Sequence, residues 1–343
     1  MGLLSVKGII DPEQFWPDGE SDADTCRVTL QRPITFTDEC AGTTQETHVF
    51  DNAVFKNDEG KDENVIKRDA SGEYIKIRFQ GIDAPELHYQ PRLPREAGWL
   101  PHWQYPLFKQ YSKRYRQHLG ETTTVNLKTL LQTEDGSPVA CSVTTLVNKP
   151  NEVFDAYGRF IGTITTNIND QDTNLNLHLV EEGWVFPALY SSMTTKEIQE
   201  IRQAAQAART NKKLLWNYYQ PAIGRLDLHL LYREEHRHPV PDPASDVGDV
   251  LFPKLFRRLC LYTTLYKARV VTKTFRQYLE DLKDHCFVIE EFLEQGPTAA
   301  TVYNLSDFIN TYQELDLWPE ELIFHEMPSE LYDKTTRQLI EAW

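Results

Sequence analysis

Y-I-K-I-R-F-Q-G-I-D-A-P-E, from Tyr74 to Glu86, sets the reading of the whole chain. Ile75, Ile77 and Phe79 alternate with Lys76, Arg78 and Gln80, which is the period of a half-buried strand and places Arg78 opposite the core face. Asp83-Ala84-Pro85-Glu86 stops that strand, because Pro85 fixes its own φ and biases Ala84 to an extended conformation. The turn lets Asp83 and Glu86 converge. Two carboxylates and an arginine at a strand end suit a hard cation and a phosphate. Taken alone, the stretch also fits an ordinary polar turn beside a solvated strand face.

A second stretch adds to it. Asp155-Ala156-Tyr157-Gly158-Arg159 precedes the apolar run Phe160 to Ile164, so a second arginine stands at a strand start after a glycine turn. Ser21-Asp22-Ala23-Asp24-Thr25 precedes a third such run, Val28 to Leu30. In this order the three motifs resemble staphylococcal nuclease and the thermonuclease-like family, over residues 1–220.

That resemblance implies an α+β fold, an OB-type five-stranded β-barrel with three helices and insertions. Beyond it, Val271, Phe275, Tyr278, Leu282, Cys286 and Phe292 recur near helical spacing and predict a mainly α-helical second domain. The resemblance also implies a nuclease that hydrolyses phosphodiester bonds of DNA or RNA, preferably where single-stranded, leaving a 3′-phosphate. Ca²⁺ is expected on the carboxylates of Asp24 and Asp83 and on the backbone carbonyl of Ala84, with water at the remaining positions. Asp22 or Asp11 can substitute for Asp24, since the residues from Asp11 to Ser21 leave the alignment open. Arg78 and Arg159 are expected to clamp the phosphoryl oxygens, Glu86 to accept or orient the proton of the attacking water, and Tyr157 to add a hydroxyl to the phosphate pocket. Alanine stands where the family has threonine at position 84, which matters little to a carbonyl ligand, and where it often has lysine at 156. The alternative is a catalytically silent module of the same fold that binds nucleic acid or a protein.

The net charge of −15, from 36 basic and 51 acidic residues, argues against a broad basic surface that coats nucleic acid. Positive charge has to be concentrated locally. Lys109, Lys113, Arg114 and Arg116 supply such a spot in a helix predicted from Pro106 to Leu119, with Leu107, Tyr111, Tyr115 and Leu119 as its buried stripe. The five cysteines lack a C-x-x-C spacing, and His236-Arg237-His238 lacks further ligands, so neither a disulfide framework nor a zinc site is expected. With no leader-like start and no membrane-length apolar run, the reading is an intracellular, cytoplasmic protein without a membrane partner.

Three insertions interrupt the resemblance, at 31–73, 87–105 and 131–152. The second follows Glu86 directly and offers Trp99 and Trp103 as stacking surfaces for bases, although burial of both in the barrel fits equally. The β-branched run Thr122 to Leu130 predicts a strand, Val139 to Val147 another, and Thr173 to Glu182 a helix. Thr194 and Glu197 form a capping box that opens the clearest helix. The proline-rich segment 221–249 reads as a linker between a nuclease-like domain, 1–220, and a helical domain, 250–343. That last stretch is more acidic than basic, so it is expected to dock a protein partner or brace the barrel, and a chain ending near Gln220 is expected to fold and cleave alone.

Overall fold

Tyr74 to Phe79 lie in a strand, Gly72–Phe79, in which Ile75, Ile77 and Phe79 are buried and Lys76 is exposed. A computed structural model describes this strand and residues 2–56, 61–92, 102–155, 157–221, 232–234 and 248–325 in all. The chain divides into two compact units, Met1–Gln80 with Thr122–Leu179, and Gly81–Glu121 with Val180–Trp343.

The first unit is the barrel. Its strands are β1 (Gly2–Ile10), β2 (Thr25–Leu30), β3 (Gly72–Phe79), β4 (Val139–Val147) and β5 (Phe160–Ile168). They pair in the order β4-β5-β3-β2-β1, and β1 pairs back onto β4 from Gly2↔Val147 to Ile10↔Val139, so the sheet closes. Closure leaves no barrel strand with an unpaired edge. One pairing is parallel, β3 with β5 through Ile77↔Phe160. Alternate residues of all five strands, among them Leu4, Val28, Ile77, Val143 and Ile164, fill the interior. The 31–73 insertion holds two hairpins, Thr35–Asp38 with Thr43–Glu46 and Val54–Lys56 with Asp62–Asn64, and Lys67–Asp69 pairs with the start of β3.

The described residues hold seven helices: α1 (Gln104–Tyr111), α2 (Gly120–Leu131), α3 (Leu175–Glu181), α4 (Thr195–Thr210), α5 (Pro253–Lys267), α6 (Phe275–Leu282) and α7 (Ile289–Gln295). Two expectations are corrected here. Thr122 to Leu130 is helix α2 and not a strand, and Val139–Val147 takes the fourth place in the barrel. Thr123, Thr124, Leu127 and Leu131 are buried at helical spacing, so packing overrides the β propensity of the threonines.

The helix predicted from Pro106 to Leu119 ends at Tyr111. Beyond it Tyr115 donates its N–H to the Tyr89 carbonyl at 2.8 Å and Gln117 to that of Glu86 at 2.7 Å, bonds that a continuing helix forbids. Tyr115–Gln117 pairs instead with Tyr232–Glu234, so part of the expected linker is a strand; 222–231 and 235–247 lie outside the described residues. The basic spot dissolves with the helix: only Lys109 is helical, and Arg116 is buried in an ion pair with Glu121.

In the second unit, α4 opens on the expected box, with Thr194 and Glu197 bonded reciprocally. Leu189–Tyr190 pairs with Leu322–Phe324, which pairs in turn with His285–Val288. Strand pairing therefore joins residues 285–324 to residue 189, and contacts do not divide the chain at the expected 221–249 boundary.

Lys254 and Arg258, one turn apart on α5, both reach the buried Asp284, Arg258 through bonds of 2.8 and 2.7 Å. Burial pushes the Asp284 carboxyl up, but the two cations more than offset it and hold it well below the carboxylate range. A depressed carboxyl stabilises above its unfolded value of about 3.9, and that stability is lost as the pH falls through the folded value. Asp284→Asn should therefore flatten the acid limb below about pH 4 and cost about 3–5 kcal/mol at neutral pH, as breaking a buried pair does. Urea unfolding at a series of pH values checks both.

Candidate active site

In the first unit, β2, β3 and the turn before β5 bring five polar side chains together. Asp24, just ahead of β2, is buried and forms an ion pair with Arg78 of β3. Thr25 donates its hydroxyl to Asp24 Oδ1 at 3.1 Å and accepts from Arg159 Nη1, also at 3.1 Å. The two arginines thus stand at the ends of one hydrogen-bonded chain, Arg78–Asp24–Thr25–Arg159.

Asp155 organises the turn. Its carboxylate accepts from the backbone N–H groups of Tyr157 and Arg159 at 2.9 Å each, and from Arg159 Nε at 2.7 Å. Gly158 has φ +71°, and a Cβ there would fall 2.2 Å from the Phe55 ring, so the position requires glycine twice over. The Arg159 guanidinium carbon lies 5.4 Å from the centre of the exposed Tyr157 ring. Tyr157 therefore stands beside Arg159. Ala156 lies outside the described residues.

In the second unit, Gly81 turns at φ +77° where a Cβ would strike Ile201, and its carbonyl accepts from Ala188 at 2.8 Å. Ile82–Asp83 then pairs with Phe186–Pro187. This fixes Asp83, which is 3% exposed as a side chain, and buries Ala84 and Pro85 behind it. Gln117 accepts the Glu86 N–H at 3.3 Å through its side chain and gives its own amide to Leu251 at 2.6 Å, which sets the turn.

Both carboxylates meet Arg257. Its Nη2 donates to Asp83 Oδ2 at 2.8 Å and its Nη1 to Asp83 Oδ1 at 3.2 Å, a bidentate fork, while Nη1 also pairs with Glu86 Oε1. Burial opposes the charge on Arg257, but Asp83 and then Glu86 hold it well above its ordinary value. These donors fit a guanidinium as they stand; for the Ca²⁺ expected on Asp83 they do not, because both oxygens of that carboxylate are engaged. Among the described residues no group of three or more His, Cys, Asp or Glu side chains is placed to hold a metal ion.

Residues 76–218 match the family model of the staphylococcal nuclease homologues. That segment is similar to the staphylococcal nuclease homologues. The matched segment contains Arg78, Asp83, Ala84, Glu86, Tyr157 and Arg159, whereas Asp24 precedes it and Arg257 follows it. The chain is also similar to Endonuclease YhcR of Bacillus subtilis (strain 168), 26% identical over 176 residues. The match covers 48% of this chain and 12% of that protein, so the chain spans a small fraction of the relative's length.

Trp103 of the second insertion is 55% exposed, and Trp99 lies outside the described residues. Three residues of these clusters escaped the sequence reading. Asp155 stands four residues before Arg159, a spacing that pairs them and was there to be read. Thr25, a short neutral hydroxyl at a strand start, carries no sequence signal for its place between Asp24 and Arg159. Arg257 is separated from Glu86 by 171 residues and carried no local signal.

Proposed function

We propose that the chain is a nuclease that hydrolyses phosphodiester bonds of DNA or RNA. The observation that supports this best is the hydrogen-bonded chain Arg78–Asp24–Thr25–Arg159, which fixes two guanidinium groups in one cluster. A phosphodiester under attack gathers negative charge on its non-bridging oxygens, and preorganised donors stabilise that charge. Arg78 and Arg159 bind these oxygens, each fork oriented by its own aspartate, and Tyr157 beside Arg159 adds a hydroxyl. Glu86 accepts or orients the proton of the attacking water, a role suited to an ionised carboxylate. Cleavage of the bond to the 5′ oxygen leaves a 3′-phosphate.

Asp24, Asp83 and the Ala84 carbonyl are the residues that the resemblance assigns to Ca²⁺. Because Asp83 is engaged by Arg257, no step of this reading is routed through the ion. The cytoplasm is the proposed compartment, and no described helix is long and apolar enough to cross a membrane. A protein partner docking on residues 250–343 remains part of the proposal. The test is cleavage of single- and double-stranded DNA and RNA, each in Ca²⁺ and in chelator; no cleavage of any substrate in either buffer would overturn the reading.

Exposure of Trp103 supports the stacking role over the core role. Trp103→Ala should leave the unfolding temperature unchanged and weaken single-strand binding by about 1–3 kcal/mol, the value of one base stacked on an aromatic ring. Fluorescence anisotropy with a labelled oligonucleotide, beside a thermal melt, separates the two roles.

A further inference from the structure

Helix α5 delivers Arg257 on a fixed scaffold. Pro253 starts the helix, and Leu255, Phe256, Leu259 and Cys260 are buried at helical spacing, so its orientation is set by packing. Phe256 lies 6.3 Å, ring to ring, from Tyr89, three residues beyond Glu86, which ties α5 to the chain that leaves the acidic turn. Neighbouring cations take other partners: Lys254 and Arg258 are spent on Asp284. Arg257 alone among these three points to Asp83 and Glu86.

We infer that Arg257 is a built-in cation of the acidic turn, occupying Asp83 and Glu86 in place of a divalent ion and competing with any such ion for them. Two carboxylates with low exposure, 3% and 15%, need a positive partner in the folded protein. A side chain held on a packed helix acts at a high effective concentration, while a free ion pays the entropy of association and must break three charge-assisted hydrogen bonds. Ca²⁺ tolerates irregular oxygen cages, so the carboxylates of Asp83 and Glu86 become available to it once the guanidinium is removed. The inference rests on the nuclease reading only in choosing Ca²⁺ as the competitor.

The test is calorimetric titration of the full chain with CaCl₂, beside thermal melts with Ca²⁺ and with chelator. Arg257→Gln should bind Ca²⁺ at least about tenfold more tightly than the parent and melt higher in Ca²⁺ than in chelator, a shift that the parent lacks. Adding Asp83→Asn to that variant should abolish the gain, which assigns the ion to this turn. Equal Ca²⁺ affinity in parent and Arg257→Gln, or a gain that survives Asp83→Asn, overturns the inference. If Arg257→Gln does not fold, Arg257→Lys serves, since it keeps the charge and gives up the fork: tighter Ca²⁺ binding than the parent supports the inference, and parental binding overturns it. None of these readouts is cleavage, so absence of nuclease activity would sink the proposed function and leave this result standing.

Discussion

Arg78→Lys and Arg159→Lys should each lower kcat/KM for cleavage of a single-stranded substrate by about a hundredfold or more, the loss seen when one preorganised donor to a developing oxyanion is removed. Lysine keeps the charge in each case. What it gives up is the planar fork, and in this protein the fork has a second duty. Arg159 uses Nε on Asp155 and Nη1 on Thr25, and a single ammonium cannot replace both at their separation. The chain Arg78–Asp24–Thr25–Arg159 predicts more than two independent losses: the double lysine variant should be less impaired than the product of the singles, because either substitution already loosens the shared chain. Steady-state kinetics of the four proteins checks this. Parental turnover in both single variants would remove the arginines from the reaction.

A chain ending at Gln220 should fail to fold its second unit. The sequence alone led to the opposite expectation. Such a truncation removes Arg257 from Asp83 and Glu86, and with its guanidinium 30% exposed the loss of these charge-assisted bonds costs about 1.5–3 kcal/mol. It also removes Leu322–Phe324 from beside Leu189–Tyr190, and Phe252 from Phe186 and its neighbours. Phe252, Phe256, Leu322, Ile323 and Phe324 are fully buried, and at about 1.5–3 kcal/mol each their loss is of the order of a domain's entire stability, about 5–15 kcal/mol. Circular dichroism and urea unfolding of the fragment should show the barrel's transition without that of the second unit. A fragment that unfolds with the parental amplitude and midpoint would contradict the account.

What the sequence disclosed follows the range of the interactions involved. The strand at Tyr74 to Phe79, the Asp155–Arg159 turn and the Thr194 box are set by neighbours within a few residues, and each was readable from period or spacing. Helix α2 was misread because three consecutive threonines signal β structure locally, while the burial of Thr123, Thr124, Leu127 and Leu131 that decides the matter is tertiary. The Pro106 to Leu119 reading failed likewise, its last residues being claimed by strand partners at Tyr89, Glu86 and Tyr232–Glu234. Arg78, Glu86 and Arg159 could be proposed from the sequence because each belongs to a motif. Arg257 was not: it sits in an ordinary amphipathic helix, and only the fold brings it to Asp83 and Glu86.

The proposed hydrolysis of nucleic acid with Glu86 as the proton acceptor is tested most directly by cleavage of a labelled single-stranded oligonucleotide by the full chain and by Glu86→Gln in the same buffers. Glutamine keeps the shape of the side chain and removes its basicity. The account predicts oligonucleotide products ending in a 3′-phosphate from the parent, with a rate at least about a hundredfold lower in the variant and little change in substrate binding. Equal rates for the two proteins would contradict it.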